Sequence, residues 1–416
     1  SHLTLEPATI VAGVSGKVVV VPHDQFGNFR PTSAVTVNIV GPTTSSPSGV
    51  LGDLTFNATW SSVVSGDFAV TADIDGQTLD IGSVLTVEPD VLSIGHSHLT
   101  LEPATVTAGV AGKVVVVPHD QYGNFRPTST VTVGYVGPTT ASVSGVLDTD
   151  LFNTTWSTTL SGDYAVTADI DGQTLDIGAV LTVEPDVLSI GHSHLTLEPA
   201  TIVAGVSGKV VVVPHDQFGN FRPTSAVTVN IVGPTTSSPS GVLGDLTFNA
   251  TWSSVVSGDF AVTADIDGQT LDIGSVLTVE PDVLSIGHSH LTLEPATVTA
   301  GVAGKVVVVP HDQYGNFRPT STVTVGYVGP TTASVSGVLD TDLFNTTWST
   351  TLSGDYAVTA DIDGQTLDIG AVLTVEPDVL SIGHSHLTLE PATIVAGVSG
   401  KVVVVPHDQF GNFRPT

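Results

Sequence analysis

Apolar and polar residues alternate with a period of two along most of the chain, the spacing of a half-buried β-strand. In "SAVTVNIV" (33–40), Val35, Val37 and Ile39 fall on one face, with Thr36 and Asn38 on the other. "DFAVTADI" (67–74) sends Phe68, Val70, Ala72 and Ile74 inward, and "LTFNATW" (54–60) aligns Leu54, Phe56, Ala58 and Trp60. "GKVVVVP" (16–22) and "SVLTV" (83–87) are β-branched runs suited to strands. Turn signals separate these runs: the Asp24–Asn28 stretch, Gly41-Pro42, Ser48-Gly49, Ser65-Gly66 and Asp75-Gly76. No 3.6-residue pattern is present. About seven short strands split by turns predict an all-β, antiparallel, immunoglobulin-like sandwich.

The pattern repeats every 96 residues, with Ser-His-Leu-Thr-Leu-Glu-Pro-Ala at Ser1, Ser97, Ser193, Ser289 and Ser385. Residues 1–96 and 193–288 are identical (version A), as are 97–192 and 289–384 (version B), and the versions differ at 19 of 96 positions. A unit of roughly 100 residues can bury its own core, so each repeat is expected to be one domain. Residues 385–416 restart version A and hold its first two strands, as a continuing array or as strands that complete a neighbour. Tandem sandwiches predict a rod of roughly 35–40 Å per domain, about 150 Å for four.

"AGVSGKVVVVPHDQFGN", "VTVNIVGPT" and "SGDFAVTADIDGQTLDIGSVLTV" resemble, in order, the filamin-type immunoglobulin-like repeat. Asp-Gln-Phe-Gly-Asn also resembles the invasin- and intimin-type immunoglobulin-like domains of bacteria. The chain departs from the filamin pattern where Gly-x-Tyr becomes Phe68 in version A against Tyr164 in version B, and where Val84 replaces the usual proline. The resemblance implies the fold and a tandem-rod habit. It does not carry actin binding, because the helical head of animal filamins has no counterpart in these residues.

Composition narrows the function. The net charge is −30 with ten Lys and Arg, which argues against a nucleic-acid partner. Cysteine is absent, so disulfides contribute nothing. No apolar run reaches the length of a membrane span. No triad or phosphate loop is present, so neither an enzyme nor a small-molecule substrate is expected.

Three features are candidates for chemistry. Asp24, Gly27 and Asn28 read as a turn, with Phe26 plugging the sandwich end. The sharper alternative makes such residues oxygen ligands. Glu88 and Asp90, leaving domain one, would approach Asp120, Asn124, Asp169 and Asp171 of domain two and could hold an interdomain calcium. Alternating strand geometry puts His96 and His98 on one face, which a zinc or copper site could use. Asn57, Asn153, Asn249 and Asn345 each open a glycosylation sequon, and period two points them outward, where an N-linked glycan could sit. The junction "VEPDVLSIGHSHL" (87–99) carries Val91, Leu92 and Ile94, which would form a sticky patch unless packed between domains.

These features predict a structural protein of the extracellular space or cell surface, a filament, appendage or fibre built by self-association of like chains. Two alternatives are an adhesin stalk that presents a tip domain and an intracellular filamin-like scaffold. The version-specific pairs Asn38-Ile39 against Gly134-Tyr135, and residues 52–55 against 148–151, are expected to carry different lateral contacts.

Overall fold

The computed structural model describes residues 1–415; Thr416, the last residue of the partial repeat, lies outside the described residues. The chain divides into two compact units, residues 1–189 with 215–222, and residues 190–214 with 223–416. The described residues form strands joined by turns, with no α-helix among them.

In the first unit, residues 1–96 hold nine strands: β1 (His2–Glu6), β2 (Thr9–Val11), β3 (Ser15–Val21), β4 (Val35–Val40), β5 (Thr44–Ser45), β6 (Val50–Leu51), β7 (Phe56–Ser61), β8 (Gly66–Ile74) and β9 (Gln77–Glu88). One sheet has the order β1-β3-β7-β6 and the other β2-β9-β8-β4-β5. β1 runs antiparallel to β3, after which the chain crosses Glu6-Pro7 and changes sheet. There β2 pairs parallel to β9. The strands of residues 97–192 pair in the same two orders. In the second unit the orders recur for residues 193–288 and 289–384, and His386–Glu390 pairs with Lys401–Val405.

The inner faces are those that the alternation predicts. Val35, Val37, Ile39, Phe56, Ala58, Phe68, Val70 and Ala72 form the core of repeat one, with the Trp60 and Phe68 rings 4.8 Å apart edge to face. Such ring pairs add to the burial of apolar area that closes the sandwich. Leu54 departs from the expectation: its φ is +56° and it is exposed, because β7 begins only at Phe56, after a turn. Phe26 also differs. It points to solvent at 79% exposure, and Phe29 instead packs on Phe56, with ring centroids 6.2 Å apart.

One version-specific pair is a core exchange, which corrects the assignment of Ile39 and Tyr135 to lateral contacts. Tyr135 is fully buried and shares a 3.2 Å hydrogen bond with Thr154. Version A places Ile39 and Ala58, both buried, at the same two positions. A second exchange lies nearby. Tyr164 Oη donates to the Leu160 carbonyl at 3.0 Å, whereas in version A Phe68 lacks the hydroxyl and Ser62 Oγ donates to the Val64 carbonyl at 2.8 Å. Changing both partners keeps buried polar atoms paired, whereas changing one strands the other. Tyr135→Phe is therefore expected to cost about 1–3 kcal/mol in repeat two. Adding Thr154→Ala should recover part of that loss in a double-mutant cycle of thermal unfolding. The surface does differ at one edge: β5 has two residues and is followed by Pro47, whereas the equivalent strand of version B runs Thr140–Ser144. Residues 52–55 and 148–151 lie in an exposed turn between the edge strand and its neighbour.

Candidate functional site

A dense polar construction in the first unit is the turn Asp120–Asn124 of repeat two, set against the end of repeat one. A side-chain carboxylate two to four residues before backbone amides folds this sequence into an Asx-type turn. Asp120 Oδ1 accepts from the backbone N–H of Tyr122 at 2.8 Å and of Asn124 at 2.9 Å. Its Oδ2 accepts from Asn124 Nδ2 at 2.7 Å and from the backbone N–H of Asp90 at 2.8 Å. Asn124 reaches back into repeat one: Oδ1 accepts from the Ser65 N–H, and Nδ2 donates to the Val63 carbonyl, both at 2.9 Å. Gln121 Nε2 donates to Asp90 Oδ2 at 2.7 Å.

The linker between the repeats is bound along its length. Leu92 forms a β-bridge with Asp120, and the Ser93 N–H donates to the His119 carbonyl at 2.8 Å. Leu92 and Ile94 pack on the core of repeat two. Val91, expected to join them, is 70% exposed, because the bridge turns alternate residues to opposite sides. His96 ends a 3-10 turn over Ile94–His96, so it does not share a strand face with His98. Its Nδ1 bonds Ser93 Oγ at 2.8 Å, and the His98 ring stands edge-on to His119 at 5.5 Å.

Tyr122 closes the seam by lying on Gly13 of repeat one, where φ is +83° and a Cβ would collide with the phenol hydroxyl. Gly13→Ala meets both the left-handed backbone and the ring. A loss of about 1–2 kcal/mol at this seam is expected, read as a lower Tm.

Asp120 is fully buried. Burial pushes its pKa up, but the hydrogen bonds from Asn124, Asp90 and Tyr122 outweigh it and hold the carboxyl below its ordinary value. Asp216 and Asn220, also in the first unit, make the same bonds to Asp186, Ser161 and Thr159. In the second unit Asp312 accepts from the Asp282 N–H at 2.9 Å, and Asn316 bonds Ser257 and Val255.

The six candidate calcium ligands are not brought into one cluster. Asp120, Asn124 and Asp90 meet at the seam through the bonds above. Asp171 instead binds the Arg126 guanidinium at 2.7 Å and the Thr130 N–H at 2.7 Å, and Asp169 Oδ1 accepts from the Gly172 N–H. Glu88 ends β9, and its carbonyl accepts from the Ala12 N–H. Among the described residues no group of three or more His, Asp or Glu could hold a metal ion. The sequon asparagines sit in a strand paired on both sides, Asn153 opposite Val115 and Val146. The nitrogen that would carry a glycan is engaged: Asn153 Nδ2 donates to Asp148 at 2.9 Å, and Asn57 Nδ2 to Thr55 Oγ1 at 3.3 Å.

No protein-family model matches the sequence, and no curated protein matches it. Solved structures do. The Escherichia coli adhesin FdeC superposes with a TM-score of 0.52 at 20% identity, over 69% of this chain and 98% of that one. The fold is a tandem array of immunoglobulin-like sandwiches. Invasin, a bacterial integrin-binding protein, aligns with a TM-score of 0.47 at 16% identity, covering 91% of this chain and 79% of its own. InvD of Yersinia pseudotuberculosis gives 0.46 at 17%, covering 68% and 98%. The fold assignment rests on the FdeC superposition, which matches the resemblance carried by the Asp-Gln-Phe-Gly-Asn element. In immunoglobulin-like terms, that element is the turn after the second long strand, β3 in repeat one, and its target is the preceding repeat.

Proposed function

We propose that the chain is the tandem immunoglobulin-like section of an extracellular surface fibre or adhesin stalk, with each 96-residue repeat one domain. The seam carries this reading. Asp120 is anchored to the linker and Asn124 to repeat one, so bending at that junction breaks several hydrogen bonds at once. A spacer that holds other parts at a distance needs joints of this kind, and it needs no reaction. Solved bacterial adhesins with the same kind of fold support the surface setting. No helix among the described residues is long and apolar enough to cross a membrane. Self-association of like chains, and glycans on Asn57, Asn153, Asn249 and Asn345, belong to the same proposal.

Labelling intact source cells with an antibody against the repeats tests the location. Signal on unpermeabilised cells is the expected result, and signal only after permeabilisation would overturn the reading in favour of an intracellular scaffold. Imaging of native material then separates single stalks from multi-chain fibres.

A further inference from the structure

We propose that the edge strand Thr140–Ser144 of repeat two pairs antiparallel with the same strand of a second copy of the chain, and that Thr332–Ser336 of repeat four does likewise. The site deepens the self-association in the reading above and rests on it. Thr140–Ser144 ends its sheet, bound on one side to Val131–Val136. The Gly137 N–H donates to the Thr139 carbonyl and the Gly145 N–H to the Val131 carbonyl, which fixes the hydrogen-bonded positions of this ladder. By the alternation of an antiparallel pair, Thr140, Ser142 and Ser144 direct their N–H and C=O groups away from Val131–Val136, to the open edge. These residues are exposed, whereas Ala141 and Val143 between them pack on the core. Thr332, Ser334 and Ser336 take the same places in repeat four, opposite Val323–Val328.

The chain itself shows what closes such an edge. Version A has Pro47 at the position of Val143. Its strand is only Thr44–Ser45, while the Val37 N–H still donates to the Pro47 carbonyl at 2.9 Å. Proline, charge and short length are the usual guards against edge-to-edge pairing. The other edges of repeat two carry such guards. Glu102, on His98–Glu102, binds Lys113 at 3.2 Å, and Thr105–Thr107 and Val146–Asp148 have three residues each. Thr140–Ser144 has five residues, no proline and no charge.

Charge and symmetry argue for a second copy as the occupant. At a net charge of −30, two copies repel wherever acidic faces meet. Residues 127–147 and 319–339, which include the edge strand and its neighbour, hold no Asp, Glu, Lys, Arg or His. The strand is also its own complement. Antiparallel pairing about Ser142 sets Thr140 against Ser144, so every outward N–H and C=O finds a partner in the other copy. Ala141 of one copy then lies beside Val143 of the other, small against large. Both face a groove of about 280 Å³ that Val143, Val146 and Thr154 line. The contact is a strand addition in which both copies use the same patch.

Sedimentation velocity and light scattering on the whole chain test the pairing. Concentration-dependent association is expected. Ala141→Ser with Val143→Pro, and Ala333→Ser with Val335→Pro, give repeats two and four the edge of version A. Together they should weaken association at least tenfold with the Tm nearly unchanged. Ser142→Lys with Ser334→Lys places like charges opposite each other across the pair, and so does Ser142→Asp with Ser334→Asp. Each of these two forms alone should lose association, and an equimolar mixture of them should recover it. A chain that stays monomeric up to millimolar concentration overturns the edge and the self-association together, and leaves the surface location to the antibody result. Association that survives the version A edge, or that the mixture fails to restore, overturns the edge alone. The charge changes act on an exposed side chain, so they decide the question even if Val143→Pro perturbs folding.

Discussion

Replacing Asp120, Asp216, Asp312 and Asp408 together by alanine is expected to lower the Tm by more than about 10 °C, the largest single effect predicted for a seam residue. Each carboxylate is fully buried and accepts from the side chain of the turn asparagine and from backbone N–H groups on both sides of a seam. Hydrogen bonds to a charged group contribute roughly 1.5–3 kcal/mol each and are not additive, so about 3 kcal/mol per seam is a reasonable expectation. Asp24→Ala alone serves as the control. It removes the same turn bonds but no bond to a linker N–H, and its effect should be clearly smaller. Scanning calorimetry decides the matter, and a Tm within about 2 °C of the parent would show that the seam is not held by these carboxylates.

The same groups set a pH dependence. Burial raises the pKa of Asp120, Asp312 and Asp408, but their hydrogen bonds prevail and the folded values lie below the ordinary one. A depressed folded pKa contributes stability that is complete above the unfolded carboxylate pKa and lost as pH falls through the folded value. The seams should therefore be fully closed at pH 5–7 and weaken below about pH 4. Calcium and chelator give an independent check. If hydrogen bonds alone satisfy Asp120, Tm at pH 7 stays constant with either. A rise on adding calcium would show that Asp90 and Asp120 recruit further oxygens.

Period two located the inner faces of β4, β7 and β8, because burying one face of a pleated strand leaves a mark at every second residue. It could not say where a strand begins. Leu54 has the right parity for the β7 face yet lies in the turn before it. Nor does local pattern reveal contacts made with another repeat. Phe26 and its equivalents look like plugs for their own sandwich, but Tyr122 packs on Gly13 of the preceding repeat, and Phe29 fills the local position. One buried version difference is readable only as a pair. Ile39 with Ala58 against Tyr135 with Thr154 conserves pairing in the core, a relation that single positions viewed as surface features conceal.

The linker supplies the second large effect and the sharpest contrast. Leu92→Asp with Ile94→Asp, together with Leu284→Asp and Ile286→Asp, is expected to destabilise repeats two and four by about 2–3 kcal/mol each. Both side chains are half-buried against the hydrophobic core of repeat two or repeat four. Val91→Asp with Val283→Asp introduces the same charge one residue away, on side chains 70% and 71% exposed, and should change stability by no more than about 0.5 kcal/mol. Composition cannot distinguish Val91 from Leu92, since both are apolar and adjacent. The bridge to Asp120 distinguishes them, because it fixes the register of the linker and with it the side that faces the core. Calorimetry of the two variants reads this out: a lower-melting transition for repeats two and four with the first set, and a trace like the parent's with the second. Equal losses from both sets would mean that the linker is held by general apolar contact, without a fixed register.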